Sequence, residues 1–109
     1  MASRDWFCED VLSGKMNVQV IWEDELVIAF HHPYPRSKTH AVIIPKRHVS
    51  SVLDPEAVDG LLLESMVLAV QKAAGILGVD RTGFYVRFNA AAPEVTPHMH
   101  WHIMAFEPK

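Results

Sequence analysis

Apolar and polar positions along this chain fall into blocks whose spacing changes from segment to segment, and each change marks an element. Residues 5–12 set Trp6, Phe7, Val11 and Leu12 among acids, which predicts a short helix ending at Ser13-Gly14. Residues 18–22 are rich in strand formers, Glu23-Asp24-Glu25 is a polar turn, and residues 26–30 return as an apolar strand, so this pair is expected to be a hairpin. Residues 31–38 carry Pro33 and Pro35, which exclude helix and suit an irregular segment across the mouth of a site. Residues 39–44 read as a third strand stopped by Pro45. Asp54-Pro55 couples an N-cap acid to a proline at the first helical position, where the missing N–H is harmless. A long helix is expected from there, burying Leu63, Met66, Val67, Val70, Ala74 and Leu77 and ending at Gly75 or Gly78. Residues 84–88 make a fourth strand, and the loop 89–97 leads into a fifth.

That last block is the most informative. In His98-Met99-His100-Trp101-His102-Ile103-Met104 imidazoles alternate with apolar side chains. An extended strand sends alternate side chains to opposite faces, so His98, His100 and His102 are expected on one face, with Met99, Trp101 and Ile103 toward a core. Three imidazoles in a row support two chemistries: a three-histidine metal site with one open position, or a nucleophile and general acid/base near neutral pH. The plain alternative is a polar strand face that happens to carry histidine.

The elements sum to about five strands with one long and one short helix, an α+β architecture with a mostly antiparallel sheet. With 109 residues, half of them hydrophobic and 21% charged, the chain suffices for one core, so residues 1–109 are expected to form a single domain. A formal charge of -3 supplies no basic footprint for nucleic acid. No apolar run approaches the roughly 20 residues of a membrane span, and the acidic, aromatic start does not read as a secretion signal. The single cysteine cannot form an internal disulfide, which fits a reducing compartment. A cytoplasmic location without membrane association is expected.

The order of motifs resembles the histidine triad (HIT) superfamily of nucleotide hydrolases and transferases. The match runs from Asp5-Trp6-Phe7-Cys8 through Phe30-His31-His32-Pro33, Thr39-His40, Pro45-Lys46-Arg47-His48 and Asn89 to the triad, and its layout is most like the small Hint branch. The resemblance implies the HIT-like fold, a homodimer in which two sheets join, and a purine nucleotide or nucleotide conjugate as ligand. It also implies that His100 attacks the α-phosphorus of a nucleoside phosphoramidate or related conjugate to form a covalent nucleotidyl-histidine. His98 and His102 would donate hydrogen bonds to phosphate oxygens and His40 would steady the triad. Phe30, His31, Trp6 and Phe7 would wall the nucleoside, and Asn89 would contact the nucleotide.

Departures from the family pattern accompany these matches. His32 stands where many relatives have an acid that accepts from both ribose hydroxyls, and an imidazole cannot reproduce a bidentate carboxylate. The loop Ala91-Ala92-Pro93-Glu94-Val95-Thr96-Pro97 replaces a glycine-rich phosphate-holding sequence. Glu94 would repel phosphate if it pointed inward, and Thr96 remains as a substitute donor. Many bacterial relatives hold a structural zinc through a Cys-x-x-Cys pair and histidines. Here only Cys8 of that pair is present; Asp5, Cys8 and His48 could form a mixed site, but a lone buried thiol is the simpler expectation. No cofactor is expected for catalysis. Two rival readings stay open: a three-histidine metalloenzyme, and a nucleotide-binding protein that has lost turnover.

Overall fold

The computed structural model describes residues 4–91 and 95–106. Strands β1 (Val20–Glu23), β2 (Val27–His31), β3 (His40–Pro45), β4 (Phe84–Arg87) and β5 (Trp101–Ala105) form one sheet in the order β1-β2-β3-β5-β4. All four neighbouring pairs are antiparallel, giving the α+β architecture the patterning predicts. The Glu23-Asp24-Glu25 turn closes because the Asp24 carboxylate accepts from the Leu26 and Val27 amides at 2.8 and 2.9 Å. Such local side-chain bonds compete with continued strand and favour reversal.

Strand alternation divides the sheet into two unlike faces. Val27, Ala29, Ala41, Ile43 and Ile103 face helix α1 (Gly60–Leu77) through Leu62, Met66, Ala69 and Ala73. On the other face Ile28, Phe30, Val42 and Ile44 are covered by Phe7 and Val11 of a short, wide helical turn at Phe7–Leu12. This second face also carries His40, His100 and His102, so the N-terminal turn and the histidines share one side of the sheet.

Three boundaries differ from the expectation, each for a local reason. Asp54 does cap a helical turn, accepting from the Glu56 amide at 2.9 Å, but the turn is only Pro55–Ala57, because Val58 leaves the helical region. The long helix starts at Gly60 under a second acid, Asp59, which accepts from the Leu62 amide at 3.1 Å, and it ends at Gly78, whose φ of 77° suits glycine. Its buried stripe is Leu62, Met66, Ala69, Ala73 and Ala74, while Leu63 and Val67 are 36% and 49% exposed. The alanines let the helix axis approach the sheet closely, and that proximity selects the face. By length and composition alone α1, with a mean hydropathy of 1.5, is apolar enough to cross a membrane, but its inner face is occupied by the sheet. The third boundary is β5, which begins at Trp101. His98 and Met99 are drawn out of the ladder because their amides bond to Thr96 and Val49 carbonyls at 2.8 and 2.6 Å. A four-residue helix α2 (Val79–Thr82) joins α1 to β4.

Candidate active site

A relay anchored on backbone orients the first pair of histidines. The Arg36 amide donates to His40 Nδ1 at 3.1 Å, so the His40 proton resides on Nε2. His40 Nε2 lies 2.8 Å from His102 Nδ1 and therefore donates to it, leaving His102 with an Nε2–H that faces the cleft. Both imidazoles are buried and sit on facing strands, His40 opposite Met104 and His102 opposite Val42. Sheet register thus brings together residues 62 positions apart.

The central histidine is set by its own chain. His100 Nδ1 lies 2.6 Å from the His98 carbonyl, which only accepts, so Nδ1 carries the proton and Nε2 keeps a lone pair. That nitrogen has no hydrogen-bond partner among the described residues. Burial lowers the His100 pKa, and neighbouring His98 adds to the effect against the bond to the carbonyl, so the ring is neutral at physiological pH. His102 is pushed down to about 3 by burial and by His100, His40, His32 and Arg87 around it. Burial, with His40, His100 and Arg36 nearby, takes His32 to about 4.

His98 departs from the expected role. It lies near Phe7, as His100 does, at ring-centroid distances of 5.8 and 5.0 Å, but both of its nitrogens are engaged by protein. Nε2 donates to the Pro45 carbonyl at 2.8 Å, and Nδ1 lies 3.0 Å from the Asp5 carboxylate and 3.2 Å from Cys8 Sγ. The ring is fully buried, so the geometry contradicts a donor to substrate phosphate at this position. His48 Nδ1 adds to the group, 2.8 Å from the same Asp5 oxygen and 3.7 Å from Cys8 Sγ.

Asp5, Cys8, His48 and His98 place four ligand atoms within 4.8 Å of one another. This donor set fits a zinc ion. With Nε2–H held by the Pro45 carbonyl, His98 turns Nδ1 toward a carboxylate and a sulfur, donors that a cation between them would satisfy together. The separations found run from 2.8 to 3.7 Å, against about 3.3–3.7 Å between donors of tetrahedral zinc, so the group would open slightly around an ion. Burial pushes the Asp5 carboxyl up, but the Cys8 amide and thiol and His98 outweigh it, so the group stays ionised. Burial and the Asp5 carboxylate raise the Cys8 thiol to about 11. The expectation from spacing, which lacked half of a cysteine pair, did not foresee that His98 would complete the set.

His102 and His40 open on a cleft of about 710 Å³ that Trp6, Asn89 and Thr96 also line, which places those expected site residues together, and the buried His100 stands beside His102 at a ring-centroid distance of 4.9 Å. Trp6 Nε1 donates to Thr96 Oγ1 at 2.9 Å, tying the N-terminal turn to the altered loop and leaving the threonine hydrogen free. Phe30 and Phe7 are core residues, packed edge to face at 6.2 Å, and Phe7 meets the site through Trp6, His98 and His100. His31 does not join the site. It is exposed at the end of β2 and in phase with Val27 and Ala29, so strand alternation sends it to the α1 side. Ala92, Pro93 and Glu94 lie outside the described residues. Patterning missed Tyr34, Arg36 and Arg87, which also line the cleft. Arg87 was detectable in principle, since β4 sets it directly opposite His102.

A two-faced antiparallel sheet with a neutral imidazole, His100, beside a hydrogen-bonded imidazole pair defines a histidine-triad type of protein. Residues 13–109 match the HIT domain family model, and the chain belongs to the HIT family. An uncharacterised HIT-like protein of Methanocaldococcus jannaschii is 30% identical over 101 residues, covering 90% of this chain and 75% of that one. The fold is similar to a HIT family hydrolase from Legionella pneumophila, with a TM-score of 0.82 and 28% identity over 94% of this chain and 92% of the other. It is also similar to a hypothetical histidine triad nucleotide-binding protein of Sulfolobus tokodaii, with a TM-score of 0.77 and 27% identity over 94% and 70% of the two chains.

The neutral histidines make stability acid-sensitive. An unfolded histidine titrates near about 6.5, above the native values of about 4 for His32 and about 3 for His102, so between these limits the unfolded chain binds more protons. Their contribution to native stability is therefore fully present above about pH 6.5 and is lost as pH falls toward the native values. Urea unfolding of the native protein and of His102→Asn between pH 6.5 and 4 is expected to show a flatter pH dependence in the variant, by about 1.4 kcal/mol per pH unit. Equal slopes would show that His102 is not held neutral by the fold.

Proposed function

We propose that this protein is a nucleotide hydrolase or nucleotidyl transferase that acts at the α-phosphate of a nucleoside phosphoramidate or related conjugate through His100. The observation that carries this reading is the bond from His100 Nδ1–H to the His98 carbonyl, which leaves the Nε2 lone pair free and the ring neutral. In the first step that lone pair forms a bond to phosphorus, the bond from phosphorus to the leaving nitrogen breaks, and the amine departs with the electron pair and takes a proton from solvent in the cleft. Water then forms a new bond to phosphorus and loses its proton to solvent. The phosphorus–imidazole bond breaks, and the electron pair returns to His100 Nε2. Fixing the nucleophile removes an entropic cost and divides one difficult displacement into two. The His102 Nε2–H donates to a nonbridging oxygen as charge builds there, an interaction worth a few kcal/mol in a desolvated site. The Thr96 hydroxyl is a second donor. Similarity to the Legionella hydrolase and the Sulfolobus nucleotide-binding protein supports the class.

Release of AMP from an adenosine phosphoramidate in EDTA is expected from the native protein and should fall by about a thousandfold or more in His100→Asn. Turnover that survives the substitution would remove His100 as nucleophile. Loss of native turnover in EDTA that Cys8→Ser with His48→Ala does not reproduce would favour a metal in the cleft, and nucleotide binding without turnover would favour the pure binding reading.

A zinc ion, where bound, would be held by Asp5, Cys8, His48 and His98, and its chemistry there is structural, neutralising a buried donor cluster and joining the N-terminal segment to the triad segment. After zinc loading and desalting, about one zinc per chain is expected by mass spectrometry of the metal. Cys8→Ser with His48→Ala should lose it and lower the melting temperature. A chain that keeps no zinc would refute the site.

A homodimer is the proposed assembly. β1 and β4 are the sheet edges, and β4 with the residue after it exposes Tyr85, Val86 and Phe88 at 38–44%. An apolar, unpaired edge of this kind favours strand addition. Sedimentation velocity should give a dimer that Val86→Arg shifts to monomer, whereas a native monomer at micromolar concentration would exclude this assembly.

A further inference from the structure

The cleft is acidic-poor in an acidic chain, and its composition bears on what the sugar of a bound nucleotide must carry. This inference rests on the nucleotide reading above and concerns only the ligand's second charge. The rings of Trp6 and Tyr34, 6.3 Å apart and edge to face, form the flat apolar end of the cleft that suits a base. His102 marks the phosphorus end, with His100 beside it at a ring-centroid distance of 4.9 Å. Between them stands His32, with its ring 5.9 Å from Trp6, 6.4 Å from Tyr34 and 5.8 Å from His102. A ligand that runs from base to phosphorus passes its sugar by His32.

His32 cannot accept from a sugar hydroxyl. Its Nδ1 already accepts from the Tyr34 amide at 3.0 Å, so a neutral ring offers only an Nε2–H donor. Arg36, on the same loop, lines the cleft, and Arg87 lines it from β4. Neither guanidinium has a carboxylate partner among the described residues. Asp10 is the one carboxylate among the described lining residues, and it is engaged by Arg4, which also holds Glu9 at 2.8 Å. The wall beside the sugar is thus made of donors and fixed positive charge, in a chain whose formal charge is -3. A free cis-diol, which must donate as well as accept, finds no free carboxylate there. A phosphate brings several acceptor oxygens and the geometry that guanidinium recognises in bidentate fashion.

We propose that the cleft takes a nucleotide whose sugar carries a second phosphate, at the 2′ or 3′ position, in addition to the 5′-phosphorus attacked by His100. His32 and Arg36 are the specificity-determining residues for that group, and Arg87 closes its charge balance from the opposite wall.

Calorimetric titration of the native protein with AMP, ADP, adenosine 2′,5′-bisphosphate and adenosine 3′,5′-bisphosphate at one pH and salt concentration tests the proposal. One of the two bisphosphates is expected to bind at least about tenfold more tightly than both AMP and ADP, and the arm that gains identifies the position. Arg36→Gln should reduce the advantage to within about twofold, and His32→Asp, which restores an acceptor, should turn the preference toward AMP. Bisphosphates that bind no better than AMP would overturn the inference while leaving the nucleotide reading intact. An equal gain for ADP would also overturn it, by placing the charge preference on the 5′ chain. Binding of none of the four would remove the nucleotide reading and this inference with it.

Discussion

The hydrogen bond from the Arg36 amide to His40 is the constraint on which the site depends. It comes from backbone, so it does not rotate or titrate, and it fixes in turn the proton of His40, the acceptor nitrogen of His102 and the donor that His102 presents. The bond from His100 to the His98 carbonyl does the same for the central histidine. Two main-chain groups therefore decide three tautomers. A buried imidazole without such a partner has two nearly equivalent protonation patterns, only one of which suits a given role. The geometry that holds the rings neutral also desolvates them, so the site is prepared at a cost to stability in acid.

The two faces of the sheet divide the labour of folding and chemistry. The α1 face is a dry core closed by alanines and Met66, and it supplies most of the tertiary packing. The other face has a smaller core around Phe7 and Phe30, which supports the histidines from beneath. The N-terminal turn links the two functions. Trp6 reaches Thr96 beside the cleft, Phe7 touches His100, and Asp5 and Cys8 meet His98 and His48 on its far side. Four consecutive residues thereby touch the cleft, the central histidine and the donor cluster.

Net charge is a poor guide to such a site. The chain is acidic overall, yet the described cleft wall concentrates Arg36 and Arg87 against one engaged carboxylate. Local field acts over roughly a Debye length of about 8–10 Å, so the arrangement of a few side chains outweighs the sum over the surface.

The fold was largely legible along the chain because its signals are local. The apolar runs of β2 and β3, alternation in the histidine strand, the prolines that interrupt 31–38, and the glycine at Gly78 each act within a few residues. The histidine triad and His40 were likewise readable as a set from motif order. The sequence could not decide where a strand stops when distant partners compete for its amides, as Val49 does for Met99. Nor could it select the buried stripe of α1, since closeness to the sheet favoured Ala69 and Ala73 over larger residues one position away. Sequence by itself determined which side chains were available for chemistry and which elements would present them. The side that His31 faces follows from alternation along β2, but tertiary structure alone decided that His98 leaves the cleft for Asp5 and Cys8 and that Arg36 joins the site. Those outcomes depend on contacts between segments far apart in the chain, whose geometry no local pattern encodes.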